Sequence, residues 1–310
     1  MIHARQPVAF VSVLGLLFTA AVGVQMQRDR VYADTLVDNR LLYIHSGALM
    51  EKVALSYDAL LADIYWIRAI QHYGGDRLHS SVSKRYDLLY PLLDLTTSLD
   101  PYFTVAYRFG AIFLADPYPG GAGHPELAVT LLEKGAKASP GKWEYYHDVG
   151  FVYYWHLHDY QKAAEWFRRG GEQPGGPWWL KTYAAVMLTR GGDRQASRFM
   201  WQQILQAADN DWLRENAERR LMQLDALDQL DQLQRVVNEF TLRTGTVPET
   251  WEQLVRAGLL RAVPADPTGA PYALNFATGV VNLSGRSKLY PLPVEPSNQQ
   301  SPAPVSSQRP

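Results

Sequence analysis

"YHDVGFVYYW" (146–155) followed by "YQKAAEWFRRGGEQPG" (160–175) reads as two short helices joined by a tight turn, with small residues at Gly150, Ala163 and Gly170. Two other stretches can be laid over it: "AYRFGAIF" (106–113) with "PELAVTLLEKGAKASP" (125–140), and "LKTYAAVMLT" (180–189) with "RQASRFMWQQ" (194–203). Gly110, Gly150 and Ala184 fall 40 and 34 residues apart, and Ala128, Ala163 and Ala196 fall 35 and 33 apart. Self-similarity near 34 residues is the mark of a helical solenoid, in which each hairpin buries its face against its neighbours. Small residues at matching positions allow close helix approach, and aromatic side chains fill the space beside them. An amphipathic four-helix bundle is the competing reading. Caps agree with the hairpins: Asp159 and Asp193 stand where second helices begin, and Pro125 sits in a first turn.

The three units resemble the tetratricopeptide repeat, W-x2-L-G-x2-Y, then A-x3-F, then P. The second matches through Tyr146, Val149, Gly150, Tyr153, Ala163, Phe167 and Gly170. The first gives Phe109, Gly110, Phe113, Ala128, Leu132, Gly135 and Pro140, and the third Leu180, Tyr183, Ala184, Met187, Ala196, Met200 and Gln203. The first unit carries an insertion, "ADPYPGGAGH" (115–124), and the third lacks both the glycine and the closing proline. The resemblance implies that first helices line a concave groove. Carried onto this register, the groove comprises Tyr107, Ala111 and Leu114; Glu144, His147, Phe151, Tyr154 and Trp155; and Trp178, Lys181, Ala185 and Leu188. Of these, Tyr107, Glu144, His147, Tyr154, Trp155, Trp178 and Lys181 are the expected partner contacts. Aromatics mixed with a few polar groups suit protein recognition.

A degenerate hairpin is expected at 59–75 and 83–101. A long polar helix is expected over 211–245, with a turn possible near Asp225. Beyond it the pattern changes. A helix end at Thr244-Gly245, a short helix from Glu249 or Thr250 to Ala257 and a hairpin "PYALN-FATG-VVNLS" are expected. This order resembles the soluble ends of type II secretion pseudopilins and type IV pilin-like proteins, through Thr244-Gly245, Val247-Pro248, Pro264, Asp266-Pro267, Gly269 and Pro271-Tyr272. The alternative is a generic turn-rich cap, with Asp266 accepting backbone hydrogen bonds in an Asx-type turn.

The chain has 310 residues, a net charge of −1 and no cysteine. The charge argues against nucleic acid as a partner, and the missing thiol removes disulfides and thiol catalysis. Between Arg5 and Arg28 run 22 uncharged residues, long enough as a helix to span a bilayer core. An uncleaved anchor is expected, a cleaved signal peptide being the alternative. The expected location is the bacterial inner membrane, single-pass, with the bulk in the periplasm. The Pro/Ser/Gln-rich tail is expected to be disordered.

The fold class read here is mainly α: a tetratricopeptide-type helical-hairpin solenoid with a small α+β C-terminal module. Its divisions are an anchor or signal peptide (1–30), a linker or helix (31–54), the solenoid (55–226), the module (227–290) and the tail (291–310). His156 and His158 stand two apart and do not share a helical face, so no metal site is read. The Gly-rich 117–125 lacks the Lys-Ser/Thr of a phosphate loop, and no cofactor is expected. The expected function is non-enzymatic: an envelope scaffold binding a protein segment, in pilus or secretion assembly. The alternative is an envelope enzyme or accessory subunit using Asp63, Asp87 and Asp94.

Overall fold

The computed structural model describes residues 15–24, 26–27, 56–78 and 86–296. The chain divides into two compact units, Met1–His124 and Pro125–Pro310. It is mainly helical, with one two-stranded sheet. Most of the expected anchor lies outside the described residues; 15–24 and 26–27 are helical and exposed. Among the described residues no helix is long and apolar enough to cross a membrane.

Unit 1 contains α1 (Asp58–Leu78), α2 (Leu89–Leu99) and α3 (Thr104–Ala115). α1 buries Ala62, Tyr65, Ala69 and Tyr73, a helical face on which two alanines admit the leucines of α2 (Leu89, Leu92, Leu93) at close range. The buried hydroxyls of Thr96 and Thr97 donate back to Leu92 O and Leu93 O, so neither hydroxyl is stranded. The Gly-rich insertion folds onto this hairpin. Tyr73 and Tyr86 donate their hydroxyls to Gly120 O and Pro119 O, each at 2.9 Å. A Cβ at Gly121 would lie 2.7 Å from Phe113 O, so only glycine fits there.

Unit 2 begins with α4 (Pro125–Ala138), α5 (Trp143–Trp155), α6 (Tyr160–Gly171), α7 (Trp179–Arg190) and α8 (Arg194–Gln206). Each packs on its sequence neighbour, the arrangement hairpins adopt when each covers the next. Asp159 and Asp193 cap α6 and α8, accepting from Lys162 N at 3.0 Å and Ala196 N at 2.9 Å. Ala163, Phe167, Leu180, Ala184 and Met187 form one core. At Gly150 an added Cβ would meet the Phe167 ring at 2.7 Å, which is why α5 and α6 pack so closely.

α9 (Asp211–Thr244) is the long helix expected over 211–245, unbroken for 34 residues and without the turn left open near Asp225. Aspartate is a poor helix former but not a breaker. Leu224 and Leu227 bury on either side of it, and Arg198 pairs with the Asp225 carboxylate. The first half of α9 packs on Trp201 and Ile204 of α8. Its second half, through Leu233 and Val237, carries α10 (Trp251–Arg256) and the antiparallel pair β1 (Ala273–Leu274) and β2 (Val281–Asn282), registered Leu274 to Val281. The boundary read at 226/227 therefore falls inside a helix.

Gly245 ends α9 with a left-handed φ of 75°, and Gly258, at 71°, follows α10. Of the tail, 291–296 is ordered. Gln223 donates to Leu289 O and Pro291 O, Leu292 joins the α8–α9 core, and Arg194 grips Glu295 with two bonds of 2.7 and 2.6 Å. Glu295 is buried, so this pairing anchors the chain end.

Candidate binding surface

α5 carries aromatic rings at every fourth position: Trp143, His147, Phe151 and Trp155. Residues four apart share a helix face, so the rings form a ladder. Trp143 meets His147 edge-on at 6.5 Å, His147 stacks on Phe151 at 6.4 Å, and Phe151 stacks on Trp155 at 6.2 Å with planes 7° apart. α7 adds a second rail. Trp179 stands edge-on to Trp143 at 5.7 Å and to His147 at 5.6 Å, and Tyr183 follows at 5.3 Å from Trp179. Tyr183 also packs edge-on against Phe167 of the core.

The ladder is rooted but open. Its outer rings are well exposed, Phe151 at 43 %, Trp155 at 58 % and Tyr183 at 47 %, although each touches other rings. Exposing so much aromatic surface costs solvation free energy, and a continuous exposed patch of this kind marks an interaction site. Polar handles sit along it. His147 shares a 2.8 Å hydrogen bond with Asp148, and Glu144 is half-buried in the first turn of α5. Arg190 lies over both Tyr154 and Tyr160 and donates to the Tyr154 hydroxyl at 3.3 Å.

Of the residues expected to line a groove, His147 and Trp155 lie on this ladder, Tyr154 packs edge-on against Phe151 and Trp155 at its end, and Glu144 sits beside its Trp143 end. Lys181 is exposed on α7. Trp178 is exposed and pairs edge-on with Trp212, a different neighbour from the α5 rings. Tyr107 is fully buried in unit 1, its hydroxyl reaching Thr97 O at 3.3 Å. There the helix is rotated relative to the expected register: Tyr107, Ala111 and Leu114 are buried, whereas Val105, Phe109 and Ile112 face outward. The reason lies in α1, where Trp66 and Tyr73 stack on Phe113 at 6.2 and 4.0 Å. Trp143, Trp179 and Tyr183 were missed as site residues. The spacing 143/147/151/155 carried the signal; Tyr183 was read only as a repeat-pattern position, aligned with Val149.

Asp63 and Asp87 are exposed and Asp94 is half-buried. Among the described residues no group of three or more His, Asp or Glu is placed to hold a metal ion. Neither a family model nor a curated protein nor a solved structure matches this chain.

Proposed function

We propose that this chain is a tetratricopeptide-type scaffold of the bacterial envelope. It is held at the inner membrane by its N-terminal segment, with its bulk in the periplasm, and it binds a protein segment along α5 and α7. The reading is carried by the ladder Trp143–His147–Phe151–Trp155 with Trp179 and Tyr183 beside it. Rings with one face packed and the other open supply contact area at little entropic cost, and aromatic anchors dominate binding energy in protein interfaces. Serial packing of the hairpins supports the repeat reading. A role in pilus or secretion assembly rests on the order of helix, turns and hairpin in the C-terminal module.

The test is purification of the tagged full chain from detergent-solubilised membranes, beside the Phe151→Ala/Trp155→Ala double variant. Truncating an interface anchor costs about 2 kcal/mol, roughly thirtyfold in affinity. The double variant should lose the co-purifying partner while its helicity is unchanged. Retention of the partner by the double variant would remove the ladder from binding. In the same assay Asp63→Asn, Asp87→Asn and Asp94→Asn together should leave partner recovery unaltered.

A further inference from the structure

We infer that α1 pairs antiparallel with α1 of a second copy of this chain, through the face it turns away from α2. The inference concerns unit 1 and does not depend on the ladder, which belongs to unit 2.

α1 is apolar on two opposite faces. One packs on α2. On the other, Leu60, Ile67 and Leu78 fall within about 20° of one another around the axis, and they are 55, 52 and 84 % exposed. Ile64 and Ile70 flank them and are exposed as well. A helix apolar all round belongs inside a larger assembly, and a contiguous exposed aliphatic stripe marks a contact surface.

Shape selects a second copy as the occupant, because the stripe is complementary to itself under a two-fold axis. Setting Leu60 against Leu78 of a helix running the opposite way brings Ile64 opposite Gly74 and Ile67 opposite Gln71. At Gly74 and Gly75 an added Cβ would meet nothing within 4 Å, so the Ile64 side chain has a notch to enter. A parallel pair would set the glycines against one another and leave that notch empty, which costs packing.

Charge agrees with the same register. Asp63 and Arg77 are exposed and lie on one flank of the stripe, about 40° apart around the axis. An antiparallel two-fold pair sets each flank against itself. Asp63 of either copy then stands within about 3 Å, measured along the helix, of the level of Arg77 in the other. Two symmetric ion pairs close the rim and fix the register. Arg77 also donates to the Tyr73 hydroxyl of its own helix at 2.9 Å. A lipid surface fits less well. α1 carries three aspartates against two arginines, and Asp63 borders the apolar stripe itself, whereas helices that lie on anionic membranes are basic.

The chain contains no cysteine, so disulfide trapping in the full chain reads the pairing directly. Positions 60 and 78 are about 27 Å apart along the helix, and a disulfide needs Cα atoms within about 7 Å, so no bond can close inside one copy. Mild oxidation of the detergent-solubilised Leu60→Cys/Leu78→Cys chain should give a covalent dimer, while each single variant stays monomeric. Asp63→Arg, added to the double-cysteine chain, should slow trapping about tenfold, and Asp63→Arg/Arg77→Asp should restore it. Dimer from either single variant would mean a parallel pair and overturn the inference. Absence of dimer from the double-cysteine chain would give the stripe to another occupant and overturn it too. So would trapping that Asp63→Arg leaves unchanged at equal protein concentration. Partner recovery on the ladder is a separate readout, so the two readings fail independently.

Discussion

At the scale of single residues, Gly150 shows how one missing side chain fixes a packing distance. The Phe167 ring lies where its Cβ would be, and Tyr145, Val149 and Val152 bury around it. Gly150→Leu forces an isobutyl group into that contact. Overpacking a core costs about 1–3 kcal/mol, so the melting temperature should fall by several degrees, and an unchanged one would mean that α5 and α6 are not this close. Gly150 was legible in the sequence because a buried glycine recurs in register with Gly110. Tyr107 was not, because nothing local separates a tyrosine facing a groove from one facing a core. The deciding contacts, Trp66 and Tyr73 on Phe113, come from a helix more than thirty residues away.

At the scale of elements, local chemistry was readable wherever it acts within a few residues. Asp159 and Asp193 announce their helices as caps, Gly245 closes α9, and "FATG" joins β1 to β2. The long helix over 211–245 was readable, but whether it turned near Asp225 was not, since its continuity there comes from packing on α8 and then on the module. Nor was the docking of 291–296, which depends on Arg194, about a hundred residues away in sequence. The turn at Asp266 combines both kinds of information. Its carboxylate is buried and accepts from the Ser287 and Thr268 hydroxyls and from Thr268 N and Ala270 N at 2.8 and 3.0 Å. Burial pushes its pKa up, but these donors outweigh burial and hold it below the usual 3.8. A depressed carboxyl pKa contributes stability above its ordinary value, and that contribution is lost as pH falls through the folded-state value. Asp266→Asn presents an amide N–H to the same donors and should cost about 1.5–3 kcal/mol at pH 7. Urea titrations should show the gap between wild type and variant narrowing below about pH 4; a gap independent of pH would show that the carboxylate's charge is not what organises the turn.

At the scale of the whole molecule, the serially packed helices, the module and the N-terminal segment make separate demands, and in the proposed reading the last decides where the others work. Residues 7–24 contain no charge and are rich in leucine, valine, alanine and phenylalanine. If translocated and retained, about eighteen such residues suffice for a span of roughly 27 Å as a helix. A scaffold anchored as proposed would also gain by confinement: partners at the same membrane would meet the ladder at raised local concentration, and weak aromatic contacts would be enough for recognition. The full chain should therefore sediment with membranes, resist carbonate extraction and begin at Met1 by mass spectrometry of the purified protein. A periplasmic protease added to spheroplasts should digest the helical units while leaving a membrane-protected N-terminal fragment. Soluble mature protein starting near Val24 would replace the anchor with a cleaved signal peptide, and the ladder would then have to hold its partner by affinity alone.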